Sequence, residues 1–148
     1  MSKKTNIISL VFAVLFSLFF GGSYLSDTLG LRQQASQTSG FLTIKELYDT
    51  RTSGVMVRFD GVISKILPDD NKGSRHQRFV VRVGDQHTVL VAHNIDLAPR
   101  VPISRDKKIS IYGQYEWNNK GGVVHWTHHD PDGSHEEGWI RYQGVSYQ

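Results

Sequence analysis

Apolar and polar residues alternate with a period of two along most of this chain, and this pattern constrains the fold more than any other feature. In GVMVRFDGVISKIL, residues 54–67, Val55, Val57 and Phe59 fall on one side of a predicted strand. Five further runs are interpreted as strands, at 75–83, 86–93, 108–117, 122–130 and 135–143. The pattern predicts an all-β domain.

The segments between these runs favour a closed barrel. Turn sequences such as NNKG and PDGS separate several strands, whereas a long connection with two prolines, residues 94–107, follows the third strand. Before the first strand, Thr43 and Glu46 form a capping-box pattern that predicts a short helix to about Arg51. Five or six short strands with one helix predict a small OB-like barrel. An SH3-like barrel or a sandwich is the alternative.

The N-terminal residues predict export. Lys3 and Lys4 precede the apolar run IISLVFAVLFSLFF, and the 19 residues from Ile7 to Leu25 are about long enough to span a bilayer. We interpret residues 1–25 as a membrane helix, either an uncleaved anchor or a signal peptide, residues 26–40 as a polar linker and residues 41–148 as the barrel domain. The expected location is a bacterial cell envelope. The domain would be anchored in the inner membrane facing the periplasm, or secreted into the periplasm if the helix is cleaved.

Charge and cysteine usage exclude several function classes. The formal net charge is +3, but removal of Lys3, Lys4, Arg32 and Asp27 with residues 1–34 leaves 14 basic and 13 acidic residues, a net of +1. Broad electrostatic attraction to nucleic acid is therefore not implied. The chain has no cysteine, which excludes thiolate catalysis, disulfides and cysteine metal sites.

The segment HWTHHDPDGSH, residues 125–135, contains four histidines and two aspartates around a turn. A hairpin through Pro131–Ser134 would pair Asp130 with His135 and place His128 opposite Glu137. We therefore predict His128, Asp130 and His135 as catalytic residues and as ligands of a divalent ion such as Zn or Mn. An exposed hairpin with satisfied polar pairs and a binding site without metal are the open alternatives.

Other polar and aromatic residues are candidates for the same site. Trp126, Trp139, Tyr112 and Tyr115 offer stacking faces or core packing, and Arg78, Arg82 and Arg100 are candidates for holding phosphate or carboxylate. The predicted ligand-binding residues outside the catalytic set are His76, His93, Asn94, Asp96, Trp117, His125 and His129.

Several of these stretches resemble a bacterial family of small exported or membrane-anchored proteins of unknown function. The resemblance rests on HQRF, HNIDLAPRVP, GQYEWNNKGGVVHWTHHDPDGSHEEGW and the closing GVSYQ, and it covers about Phe41 to Gln148. It implies location and a single domain but no reaction. The residues that carry the resemblance are mostly polar, which favours a real site over packing alone: His76, His93, Asn94, Asp96, Glu116, Trp117, His125, Trp126, His128, His129, Asp130, His135 and Trp139.

Two functions from different classes follow. The first is a binding module that holds an oligosaccharide, a nucleic-acid strand or a protein segment. The second is a metal-dependent hydrolase of phosphodiesters, in which some of His93, Asp96, His128, Asp130 and His135 hold the ion and Arg78 or Arg100 offsets negative charge. We favour the binding module, because strand geometry would scatter the histidines over two faces. No serine–histidine elbow, P-loop, dinucleotide fingerprint or HExxH pattern is present in the sequence.

Overall fold

The structure, a computed structural model, describes residues 44–148. A short helix, α1 (residues 44–49), precedes seven strands. Within this part of the chain no helix is long and apolar enough to cross a membrane. The predicted membrane helix (residues 1–25) and the predicted linker (residues 26–40) lie outside the described residues. The strands are β1 (Val55–Ile66), β2 (His76–Val83), β3 (His87–Asn94), β4 (Lys108–Glu116), β5 (Val123–His125), β6 (Trp139–Tyr142) and β7 (Val145–Tyr147).

The first five strands close into a barrel. β1 pairs with β2 and β2 with β3, both antiparallel, and β3 then runs parallel to β5. β5 pairs antiparallel with β4, and β4 returns to β1 along eight residue pairs, which closes the ring. This closed five-stranded barrel confirms the predicted OB-like fold.

The core follows directly from the alternation seen in the sequence. Val57, Phe59 and Ile63 of β1 point inward, as do the alternate apolar residues of β2, β3 and β4. Gly61 allows β1 to lie close to β2, because a Cβ there would collide with Val81. The register of β1 with β2 shifts a few residues later, between Ile63 and Lys65, as at a β-bulge.

Helix α1 packs at one end of the barrel. Ile44 is fully buried in the core, and the indole Nε1 of Trp117 donates a hydrogen bond to the carbonyl of Tyr48 at 3.0 Å. Arg51 has a φ of 56°, in the left-handed region, and terminates the helical turn. The helix is therefore somewhat shorter than the sequence predicts.

The C-terminal third departs most from the predicted strands. The fifth strand was expected to run to Asp130, but it ends at His125 because Trp126 adopts a φ of 52°, which no strand accommodates. The sixth strand begins only at Trp139, and an unpredicted hairpin through Gln143 and Gly144, both with positive φ, leads into β7.

β5 and β6 lie one after the other along the same edge of β4. β5 pairs with residues 114–116 and β6 with residues 110–112. Residues 126–138, which we call the histidine loop, interrupt what would otherwise be one long strand. The loop leaves the barrel at the end where β2 begins and where β3 and β5 finish.

Candidate functional site

The histidine loop is closed at its neck by backbone contacts. The amide of Gly138 donates a hydrogen bond to the carbonyl of His128 at 3.1 Å. A Cβ at Gly138 would collide with the carbonyl oxygens of Trp126 and Tyr112. Only glycine therefore permits the two ends of the loop to meet on β4.

The tip of the loop is organised by Asp130. Its carboxylate accepts hydrogen bonds from the backbone amides of Asp132 at 3.2 Å, Ser134 at 2.7 Å and His135 at 2.8 Å. These hydrogen bonds, of which the one from the His135 amide has the largest effect, hold the pKa of Asp130 below its usual value. The carboxylate acts as an internal cap that fixes the turn.

The predicted hairpin register is therefore wrong. Asp130 and His135 are not cross-strand neighbours, and His128 does not face Glu137, because the segment contains no strand pairing. Glu137 instead pairs with His129, whose Nδ1 lies 2.5 Å from the carboxylate oxygen in an exposed position. The left-handed turn at Trp126 and the hydrogen bonds to Asp130 shape this segment in place of the predicted strand pairing.

Three imidazoles surround Trp126. The ring of His135 stacks on the indole with centroids 4.0 Å apart and an interplanar angle of 6°. The rings of His128 and His125 lie 5.5 Å and 6.3 Å from it. We call these four residues the histidine–tryptophan cluster. The loop gathers side chains that an extended strand would have separated.

Backbone carbonyls fix the ring nitrogens of two of these histidines. The Nδ1 of His128 lies 2.7 Å from the carbonyl oxygen of His129, and that of His135 lies 2.7 Å from the carbonyl oxygen of Glu136. Because a carbonyl only accepts, Nδ1 carries the hydrogen in both rings. His128, only 4% exposed, makes no hydrogen bond through Nε2 to any described residue, so in its neutral form this atom is an available acceptor.

A polar chain on β4 connects His135 to His125. The side-chain amide of Gln114 donates to Glu116 at 2.7 Å, and its oxygen is hydrogen-bonded to Nε2 of His135. Glu116 also lies 3.8 Å from Nε2 of His125, a buried atom with no hydrogen-bond partner among the described residues. Burial lowers the pKa of His125, against an opposing effect of Glu116.

His93 lies inside the barrel at the same end. Its Nε2 is 3.1 Å from the carbonyl of Pro99 and therefore donates, so Nδ1 accepts from the hydroxyl of Thr127 at 2.9 Å. Burial lowers its pKa to about 4. Next to it, Gln77 exchanges two hydrogen bonds, at 2.8 and 3.0 Å, with the backbone of Val101. Both ring nitrogens of His93 are thus engaged within the fold.

Asn94 and Asp96 hold the start of the long connection. The side-chain oxygen of Asn94 accepts from the amide of Asp96 at 2.9 Å, and Asp96 accepts from the amide and Nε of Arg75 at 2.6 and 2.7 Å. The hydrogen bond from the Arg75 amide is the main reason that the pKa of Asp96 is lowered. His76 donates its Nδ1 hydrogen to the carbonyl of Ser74 at 2.8 Å. These contacts join two loops at the rim of the barrel.

The remaining predicted residues lie apart from the histidine–tryptophan cluster. Arg78 donates to the carbonyl of Pro68 at 3.0 Å, and Arg100 forms an ion pair with Asp69. Trp117 follows the far end of β4, where its ring lies 6.4 Å from that of Tyr48 beside α1. The structure therefore does not bring Trp117 to the site.

Within residues 44–148, no group of three or more histidine, aspartate or glutamate side chains is placed to hold one metal ion. His128 and His135 both contact Trp126, but the carboxylate of Asp130 faces the backbone amides of its own turn. The divalent ion and the catalytic roles of these three residues stay predictions.

Sequence reasoning missed two members of this region. Gln114 links His135 to Glu116, and the hydroxyl of Thr127 reaches His93 inside the barrel. Alternation along β4 does place Gln114 on the outer face with Glu116. Its contact with His135 depends on the path of the loop, which alternation does not encode.

Comparison with known proteins identifies a family without assigning an activity. A family model described as "Protein of unknown function (DUF3465)" matches residues 29–148. A search of curated proteins finds no match to the chain.

Proposed function

The chain belongs to the DUF3465 family, whose function is unknown, and we propose from its own geometry that the barrel is a ligand-binding module. The proposed site is the histidine–tryptophan cluster together with Gln114 and Glu116. The observation that carries this proposal is the gathering of three imidazoles around Trp126 by a loop that is fixed at both its neck and its tip.

Packing does not account for this cluster. The apolar core is closed by residues of the strands, α1 and the 94–107 connection. The cluster lies outside it, where it leaves Nε2 of His125 buried without a partner among the described residues. An unsatisfied buried polar atom costs about 1–3 kcal/mol, a cost that the stability of the barrel does not explain.

The hydrogen-bonding groups of the cluster are fixed before binding. Nε2 of neutral His128 is an available acceptor, the carboxylate of Glu116 accepts, and the ring of His135 is held in place through both of its nitrogens. Such preorganisation lowers the entropic cost of holding a polar ligand. OB barrels commonly bind ligands on one strand face and its flanking loops, which supports a module by analogy of fold alone. An oligosaccharide, a nucleic-acid strand and a protein segment remain the ligand classes to compare.

We also propose that the module faces the periplasm from a membrane anchor. The support is the sequence of the N-terminal segment, in which Lys3 and Lys4 precede a long apolar run. A tethered module would sample ligands near the membrane surface.

The binding proposal is tested with the purified full-length chain. Panels of oligosaccharides, single-stranded oligonucleotides and peptides are screened by thermal shift, and binders are measured by calorimetry. We expect His128→Phe, which retains a ring but removes the acceptor, to weaken binding at least about tenfold, the effect of one hydrogen bond to a polar ligand.

His129→Phe is the matched control, because His129 lies in the same loop but is exposed, and within residues 44–148 its side chain pairs with Glu137 alone. This variant should bind like the unmodified chain. Equal loss in both variants, or binding that neither variant changes, would contradict the proposed site.

A metal-dependent phosphodiester hydrolase is the second candidate. It is favoured by the fixed Nδ1 hydrogen of His128, whose Nε2 has no partner among the described residues, since histidines that ligate metals usually donate their other ring hydrogen to a carbonyl or carboxylate. Metal content of the untagged full-length chain, followed by zinc and manganese titrations monitored by thermal stability, tests this candidate. One tightly bound equivalent that is lost in His128→Ala would support it, and no binding at micromolar metal would exclude it.

A further inference from the structure

A second polar surface lies on the outer face of β1, β4 and β6. Arg58, Tyr112 and Trp139 are cross-strand neighbours in one row, since Arg58 pairs with Tyr112 and Tyr112 pairs with Trp139. Arg141 lies two residues along β6 and therefore on the same face as Trp139. The row places two guanidinium groups beside one indole.

Both guanidiniums contact the Trp139 ring. The Cζ of Arg141 lies 4.3 Å from the ring centroid and that of Arg58 lies 5.4 Å from it. Cation–π contact uses the face of a guanidinium and leaves its N–H edge free to donate. Both arginines are exposed, and neither donates a hydrogen bond or forms an ion pair within residues 44–148. The N–H groups of both guanidiniums are therefore free to donate hydrogen bonds to a ligand.

The nearby carboxylates are occupied elsewhere. Glu136 accepts a hydrogen bond from the hydroxyl of Tyr112, and Asp60 accepts one from the hydroxyl of Ser110. Neither carboxylate lies within salt-bridge distance of Arg58 or Arg141 among the described contacts. The face thus offers two guanidiniums that form no ion pair within residues 44–148.

We propose that Arg58, Trp139 and Arg141 form a binding site for an oxyanion, the carboxylate or phosphate group of a ligand. A guanidinium presents parallel N–H donors that match the oxygens of a carboxylate or phosphate, and here two guanidiniums lie against one indole. Because Glu136 and Asp60 lie on the same face, we expect an oxyanion to be held by these N–H donors rather than by a broad positive field. It does not depend on the function proposed for the histidine–tryptophan cluster.

The site is tested by titrating the ¹⁵N-labelled full-length chain with inorganic phosphate and, separately, with acetate, at an ionic strength kept constant with chloride. The signals followed are the indole N–H of Trp139 and the Nε–H groups of Arg58 and Arg141. We expect a saturable shift of these signals with a dissociation constant on the order of 1–10 mM, as suits a small exposed anion site.

Arg58→Gln and Arg141→Gln should each weaken the titration about tenfold, because each removes one charged donor group. Arg51→Gln is the matched control, since Arg51 is an exposed arginine whose single guanidinium lies 5.3 Å from the centroid of the Trp117 ring, away from this face, and should leave the titration unchanged. Saturation by phosphate alone or by acetate alone supports the site and identifies the oxyanion it prefers. The proposal is overturned by shifts that do not saturate with either anion, or by equal weakening in Arg51→Gln.

Discussion

At the scale of single residues, the buried side chain of His93 makes the stability of this barrel depend on pH. The ring is fully buried and neutral, with Pro99 accepting from one nitrogen and Thr127 donating to the other. Burial lowers its pKa from 6.5 to about 4. In the unfolded chain the same histidine takes up a proton near its ordinary pKa.

We therefore expect the free energy of unfolding to decrease as the pH falls from 6.5 to 4. In this pH window His93 is protonated in the unfolded state but not in the folded state. The free energy of unfolding therefore decreases by about 3 kcal/mol in total because of His93. Below pH 4 both states are protonated and this contribution becomes constant. Denaturant unfolding at several pH values between 7 and 4 measures the effect.

His93→Gln should be less stable at pH 7 but should lose less stability on acidification. Some slope will remain, because burial also lowers the pKa of His125. His129→Gln, at an exposed position, should retain the full slope. Asp96 and Asp130, whose pKa values are lowered from 3.8, contribute only as the pH falls through the acidic range below that value. An unchanged slope in His93→Gln would contradict this account.

At the scale of elements, β1 to β4 could be predicted because their alternation determines which side chains are buried. The same rule places His93 inward, two residues after Val91 and four after Val89. The segment after His125 carries no comparable apolar pattern. Its course depends on the left-handed φ of Trp126 and on contacts of Gly138 with distant backbone, and neither follows from local periodicity.

Within the histidine loop, the neck should be the position at which substitution destabilises the protein most. Gly138→Ala places a Cβ against the carbonyl oxygens of Trp126 and Tyr112, so β4 and the loop must separate. We expect a loss of at least about 2 kcal/mol in the free energy of unfolding, typical of overpacking against rigid backbone. Denaturant unfolding provides the measurement.

Gly133→Ala is the matched control for this substitution. Gly133 is at the loop tip, where a Cβ meets nothing within 4 Å and only its φ of 62° opposes a side chain. That conformation costs about 1 kcal/mol for alanine. If both variants lost the same stability, close packing at the neck would not be the cause.

For the whole molecule, the central prediction is attachment to a membrane. We expect the full-length chain to sediment with membranes and to remain there after alkaline carbonate washing, because the run from Ile7 to Leu25 is about as long as a bilayer is thick. Protease added to spheroplasts should digest the barrel domain. Removal of residues 7–20 should leave the protein in the soluble cytoplasmic fraction.

A cleaved signal peptide gives a different result from an anchor. The mature protein would then be released with the periplasmic fraction and would be shorter by about 25 residues on intact-mass analysis, as expected for a signal of typical length. Retention of the full-length chain in the cytoplasm would contradict export altogether. The experiment thus separates the two forms that the N-terminal sequence allows.

The interruption between β5 and β6 has an evolutionary consequence. The chain leaves the edge of β4 at residue 126 and rejoins it at residue 139. The sequence of the histidine loop can therefore change independently of the sequence of the barrel. In the proposed module, exchange of the loop would alter recognition without disturbing the hydrogen-bond register of the sheet. Two glycines at the junction would have to be retained, Gly138 and Gly113, because a Cβ at Gly113 would collide with the carbonyl oxygen of His125. A lineage that retained them could diversify its specificity by exchanging this one insert, much as antibodies exchange their variable loops on a constant framework.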